Sequence, residues 1–228
     1  MIFFSLTFLN NLIQGRIHAT KVLKKYNYNN EKKCAIVYAP GGKINKSNFI
    51  NLQQKKMGTE FFPLVDENGS ITGKASREIC HNKSFLLHPV VHLHVINSLG
   101  ELYLQKRADN KDVQPGKWDT AVGGHVDYGE TIPEALIREA GEELGINRFS
   151  PVFMVRYKFT SEVESELVHS YYAVYDEEVI PDPVEISEGK FWTASEILAK
   201  MGKGIFTPNF EYEFNYLVSN KLLPIKGI

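Results

Sequence analysis

The chain has 228 residues, 43% of them hydrophobic, with 26 Lys and Arg against 27 Asp and Glu and a formal net charge of −1. That length holds one sizeable core with an appendage, and a balance so near neutral gives no global reason to expect a nucleic-acid partner. Two cysteines in different regions, Cys34 and Cys80, suggest no disulfide framework and fit a reducing cytoplasm, and no apolar run approaches the ~20 residues that span a bilayer.

The first 56 residues differ from the rest. They hold ten Lys or Arg and a single acid, Glu31, whereas the remainder is acidic. Residues 1–13 are apolar but lack a positive lead-in and a small-residue cleavage site, so they make a poor signal peptide. Asn- and Lys-rich sequence follows, with a short apolar run at Cys34–Tyr38 closed by Pro40-Gly41-Gly42. A basic arm, a transit-like segment and a loosely ordered extension all fit this composition, and the extension fits best. The change of charge at Met57 sets the expected boundary. Residues 1–56 are a basic extension, poorly ordered or not native, and 57–228 are the functional domain.

From Met57 the pattern is that of a folded domain. Phe61–Val65, the turn Asp66-Glu67-Asn68-Gly69 and Ile71–Ala75 read as a hairpin. A polar stretch with Arg77, Cys80 and His81 leads to His88. Val90–Ile96 alternates as a strand, with His92 and His94 on a half-solvated face. Ser98-Leu99-Gly100 turns the chain into a strand at Glu101–Arg107, and Gln114–Trp118 reads as a loop. Later, Val152–Phe159, Leu167–Val174 and Glu188–Trp192 are expected strands. Ala194–Met201 and Asn209–Val218 are expected helices, the second with Phe210, Phe214 and Leu217 on one face.

The chain is organised around Gly124–Ile146. Thr131 and Glu134 form a capping box, Pro133 sits in the first turn and Gly145 can end the helix. Ile132, Leu136, Ala140 and Leu144 make an apolar stripe. Beside it, Glu139, Glu142 and Glu143 share one face, about 5–6 Å apart at Cβ. The plain reading is a solvated acidic helix end, but like charges repel there and the helix dipole disfavours them. A hard divalent cation such as Mg²⁺ or Mn²⁺ turns that liability into a site.

The spacing Gly124, Glu130, then Arg138-Glu139-Ala140-Gly141-Glu142-Glu143-Leu144-Gly145-Ile146 matches every fixed position of the Nudix box, and the chain resembles the Nudix hydrolase superfamily. The resemblance implies an α+β fold, the α/β/α sandwich with a mixed β-sheet. It also implies Mg²⁺-dependent hydrolysis of a small-molecule diphosphate. Glu139, Glu142 and Glu143 would hold metal, the Gly123 carbonyl would add a ligand and Arg138 would orient the cluster.

The surroundings resemble one branch, the metal-dependent isopentenyl-diphosphate isomerases and their hydrolase-like relatives. Positions matching that branch's separate metal set are His81, His88, His125, Glu164 and Glu166, which implies a second divalent metal; a single loop histidine taken alone is more often a surface or hydrogen-bonding residue than a ligand. Arg77, Arg107 and Lys111 match its diphosphate anchors or are ordinary surface charges. His169 reads as structural. The departures decide the chemistry. Gly123 stands where the isomerases have a cysteine, Asn209 stands where they have an aromatic after Phe206-Thr207-Pro208, and the box carboxylates they have lost are kept here. Hydrolysis is therefore expected, with a residual isomerase as the alternative. The general base is left open between Glu139 and an acid of Glu162–Glu166, with Glu166 among the candidates. Trp118, Tyr128, Tyr171 and Phe191 are stacking platforms or core. Neither membrane nor nucleic acid is an expected partner, and a homodimer is left open.

Overall fold

The computed structural model describes residues 60–227, Asp112 excepted. The expected basic extension at 1–56, with its run at Cys34–Tyr38, lies outside the described residues.

A small antiparallel hairpin comes first, β1 (Phe61–Val65) and β2 (Ile71–Ser76). Its turn is the expected one. Asp66 Oδ1 accepts the N–H groups of Asn68 and Ser70 at 2.9 and 2.8 Å, and Gly69 supplies the left-handed residue at φ 84°. Where a polar connection is expected, the chain instead makes a helical turn at Arg77–Ile79, capped by Ser76, that runs into a π turn at Cys80–Ser84. The turn ends on Lys83 and Phe85, both left-handed without being glycine. Cys80 is buried beside Phe62 and Ala75, and burial holds its thiol pKa up.

The main sheet has seven strands. β3 (Leu87–Ile96) lies parallel to β8 (Ser165–Val174) over ten residue pairs, and every other pairing is antiparallel, so the sheet is mixed. β4 (Leu102–Arg107) meets β3 at only two pairs before the two splay apart. Two short strands fill the opening, β5 (Trp118–Thr120) against β4 and β6 (Val122–His125) against β3. The expected loop there is correct only up to Lys117. β7 (Val152–Thr160) extends the β8 edge, and β9 (Ile186–Trp192) pairs with β4.

One helix covers each face. α1 (Ile132–Leu144) carries the expected capping box and ends on left-handed Gly145. Its buried Leu136, Ala140 and Leu144 pack on Val91, Leu93 and Val95 of β3. Each fully buried leucine contributes about 1.5–3 kcal/mol by leaving water. A short helix α2 (Ala194–Leu198) ends three residues before the expected Met201. α3 (Pro208–Ser219) closes the other face, with Phe210, Phe214 and Leu217 against Ile96, Leu102 and Leu104. The layers are helix, sheet, helix, the expected sandwich. Among the described residues no helix is long and apolar enough to cross a membrane.

Candidate metal and diphosphate site

Arg138, in the middle of α1, ties the helix to the loop before it. Its Nε and Nη2 each lie 2.8 Å from the two oxygens of Glu130, a bidentate pair. Nη1 donates to Glu139 at 2.6 Å and to Glu142 at 3.4 Å, and Nη2 also reaches the His125 carbonyl at 2.8 Å. Sequence reasoning placed Glu130 in the motif but gave it no partner; the fork geometry supplies one.

The three box acids are not equivalent. Glu142 is mostly exposed and touches only the edge of Arg138. Glu139 is partly buried and lies against Gly124, where a side chain would run into it. Burial pushes the Glu139 carboxyl up to about 7 against the pull of Arg138. Glu143 accepts the Gln105 amide at 3.0 Å. Burial first and the Glu139 charge second push Glu143 up to about 8, against Gln105, the Gly123 N–H and Lys111. Gly123 thus presents its N–H toward Glu143. Two carboxylates whose ionisation is opposed by burial and by neighbouring acids suit a divalent cation, which would hold both charged.

A second cluster forms at the open end of β3. His81 comes from the π turn, His88 from β3, His125 from β6 and Glu164 from the turn before β8. One ligand atom of each lies within 4.8 Å of all the others. His88 Nδ1 is engaged by the Leu86 carbonyl at 2.8 Å, which leaves Nε2 for the cluster. His81 Nε2 lies 3.1 Å from His125 Nε2 and 3.0 Å from Glu164 Oε2. His88 Nε2 lies 3.4 Å from the same Glu164 oxygen, and both atoms are buried. Burial pushes His125 down to about 3, so its ring stays neutral. Three imidazole nitrogens and one carboxylate oxygen aimed at a common point fit a divalent ion such as Mg²⁺, Mn²⁺ or Zn²⁺.

Glu166 belongs beside this group rather than in it. It stands opposite His88 in the β3–β8 register, and its Oε2 accepts the Asn209 amide at 3.3 Å. Burial and the neighbouring Glu164 push it up to about 7.

The expected anchors are less uniform. Arg77 is half exposed on Glu60, with its guanidinium 6.0 Å from the Phe62 ring centre. Arg107 bonds the Val113 carbonyl at 3.0 Å and Asp119 at 3.4 Å. Lys111 is paired with Glu185. Burial and then the nearby Arg107 charge hold the Lys111 amine below its usual range, while Glu143 and Glu139 support its charge. Lys111 therefore lies within electrostatic reach of Arg107 and of the box acids Glu143 and Glu139.

His92 and His94 correct the sequence reading. Both were expected on a half-solvated face, and both are buried under α3, bracketing the wholly buried Glu213. No local pattern signals this, because the partners are 121 residues apart in sequence. His169 is structural as expected, bonded through Nδ1 to the Leu167 carbonyl at 3.1 Å. Trp118 is core against Trp192, and Tyr171 and Phe191 pack on the α1-side core. Tyr128 alone of the four is exposed, with Lys74 Nζ 5.0 Å from its ring centre.

Residues 86–210 match the NUDIX domain family. The chain is similar to the isopentenyl-diphosphate Delta-isomerase of Streptomyces griseus, 33% identical over 153 residues, 64% of this chain and 78% of that protein. It is also similar to an uncharacterized Nudix hydrolase of Listeria monocytogenes, 30% identical over 154 residues, 66% of this chain and 90% of the relative. A crystal structure from Deinococcus radiodurans superposes with a TM-score of 0.61 at 27% identity, covering 69% of this chain and 98% of the other. With the family pattern spanning more than half its length, the chain belongs to the Nudix family.

Proposed function

We propose that this chain is a hydrolase of small organic diphosphates, dependent on Mg²⁺ or Mn²⁺, with its activity in residues 57–228. The observation that carries the reading is the pair Glu139 and Glu143, partly buried beside one another within electrostatic reach of Lys111. Anionic ligands and cationic anchors meet there, as a metal-bound diphosphate requires. Glu139 and Glu143 would hold the cation, with Glu142 and the Gly123 backbone at its margin. When bound, the cation supplies Lewis-acid polarisation of phosphoryl oxygens and a lowered pKa for a water. Arg138 holds Glu139 in place, and Lys111, Arg107 and Arg77 offset the charge of the phosphates. Water oxygen forms the new bond to phosphorus, the bridging P–O bond breaks, and a carboxylate takes the water proton. Glu166, which the box cation would not engage and which burial pushes up to about 7, suits that task, with Glu139 as the alternative. His81, His88, His125 and Glu164 would hold a second divalent ion.

Glu143→Gln tests this. It keeps shape and removes charge, and kcat should fall about a hundredfold or more. Turnover near that of the wild type would refute the proposal.

The second reading is isomerisation of isopentenyl diphosphate, favoured by the name of the Streptomyces griseus relative and by the His/Glu cluster. Against it, Gly123 offers no side chain for proton transfer. Incubation with isopentenyl diphosphate and metal, read for the dimethylallyl isomer, separates the two.

A further inference from the structure

Each of the three cations assigned to the diphosphate holds a carboxylate of its own. Arg77 lies 3.3 Å from Glu60, Arg107 lies 3.4 Å from Asp119, and Lys111 is paired with Glu185. A phosphate that takes one of these cations must share it with the acid or displace that acid. The three acids differ in how freely they can give way. Asp119 is locked, because its Oδ1 also accepts the Thr207 hydroxyl and the Thr120 N–H, both at 2.9 Å. Thr207 caps α3, so Asp119 cannot leave without loosening that helix. Glu60 and Arg77 are each about half exposed, and water and salt screen their attraction.

Glu185 combines a fixed backbone with a side chain bound at one point. Its carbonyl accepts the Ala108 N–H and its N–H donates to the Asp182 carbonyl, both at 3.1 Å. The Ala108 carbonyl accepts the Lys111 N–H at 3.1 Å, so the paired residues are mounted on adjoining turns. Among the described residues the Glu185 carboxylate bonds only Lys111. Its side chain is 41% exposed and that of Lys111 is 29% exposed, and an ion pair so open to water is weak. Rotation of the Glu185 side chain alone frees the ammonium, with the backbone left in place. Lys111 also feels the charges of Glu143 and Glu139. A phosphate bound through the cation of those two acids therefore comes within reach of Lys111, and Glu185 is the group it meets there.

We infer that Glu185 competes with the substrate's phosphate for Lys111 and so sets the affinity of the site for phosphoryl groups. This rests on the diphosphate reading of the same site. The contact works in both directions. It weakens binding of the incoming diphosphate, and it eases departure of the cleaved product by giving Lys111 a carboxylate in exchange.

The test is calorimetric titration of the full chain, with Mg²⁺, by methylenediphosphonate, a diphosphate analogue whose bridge cannot be hydrolysed. Glu185→Gln should tighten Kd about three- to fivefold, the worth of an exposed ion pair. Lys111→Met should weaken it about tenfold or more, the worth of a charge-assisted bond. In the Lys111→Met background Glu185→Gln should move Kd by less than about twofold, since the contested cation is gone. Glu188→Gln, on β9 and outside the pair, removes the same formal charge and should leave the wild-type Kd within the same limit. A Kd unmoved or weakened by Glu185→Gln overturns the inference, because the pair is then purely structural. Equal tightening with and without Lys111, or by Glu188→Gln, overturns it as a diffuse charge effect. Failure of the wild type to bind the analogue overturns it as well. The hydrolysis reading fails separately, as absent turnover beside intact binding, and the tightening by Glu185→Gln then still sustains the inference.

Discussion

The guanidinium of Arg138 donates to the backbone carbonyl of His125 at 2.8 Å, so the helix that presents the box acids also positions the backbone of a histidine in the second cluster. Glu130, Glu139 and Glu142 take the rest of the same fork. Lysine keeps the charge but cannot serve these directions at once. Arg138→Lys should therefore lose turnover by about a hundredfold through misplacement of Glu139. It should also lower stability by a few kcal/mol, on the order found when a partly buried pair loses one member. Steady-state kinetics and thermal melts of the variant measure both.

Gly124→Ala separates site geometry from folding. Its methyl would meet Cγ, Cδ and Oε1 of Glu139, the end of a side chain that can swing away at little cost to the fold. The variant should keep its Tm within a few degrees yet lose most of its activity. At Gly123 a methyl would meet His92 and Thr120 at 3.7–3.8 Å, an ordinary contact, so Gly123→Ala should fold with unchanged Tm. A pair of melting curves with matched assays checks the contrast.

The raised carboxyls set a pH dependence for the metal-free protein. Glu139 and Glu143 ionise at about 7 and about 8 when folded, against 4.5 as the ordinary value. A raised acid binds its proton more tightly in the folded state, so these groups cost stability progressively as pH rises from about 4.5 through 8. Mg²⁺ should abolish that slope by replacing the protons. Melting temperatures across this range, in chelator and in Mg²⁺, should diverge with rising pH, and Glu143→Gln should shrink the divergence.

The His92–Glu213 pair has its own window. His92 is raised to about 9, where burial opposes the proton and Glu213 outweighs it; Glu213 is held well below the usual carboxylate range. Its stabilisation is complete between about 4.5 and 6.5. It fades as pH rises through 9, and again in acid once Glu213 protonates. The alkaline loss is on the order of 3 kcal/mol, the worth of such a shift for a buried group. In Glu213→Gln the decline between pH 6.5 and 9 should flatten, which denaturant titrations at fixed pH will report.

Metal analysis offers the simplest check on the histidine cluster. Wild-type protein should carry one divalent-metal equivalent that His88→Ala and Glu164→Gln lose. At metal concentrations a hundredfold above Kd, that ion adds about 2.7 kcal/mol of stability.

How far the sequence revealed this arrangement depended on where each signal lay. α1 was readable residue by residue, because capping, stripe and stop all sit within fourteen positions of one another and the structure repeats them. The four clustered ligands came from a resemblance, since His81, His88, His125 and Glu164 meet only when four separate segments converge. β5 and β6 are three and four residues long, too short for alternation to show. The kinked turn at Cys80–Ser84 rests on left-handed Lys83 and Phe85, residues that ordinarily give no turn signal. The His92–Glu213 contact left no trace, because an alternating strand reads the same whether its polar face meets water or a buried acid.

β3 hands His88 to one cluster, His92 and His94 to Glu213, and Val91, Leu93 and Val95 to the opposite helix. Each role is fixed by parity along the strand. Adding or deleting one residue there would send valines toward the charged groups and imidazoles into the oil beneath α1, undoing both faces of the sheet at one stroke.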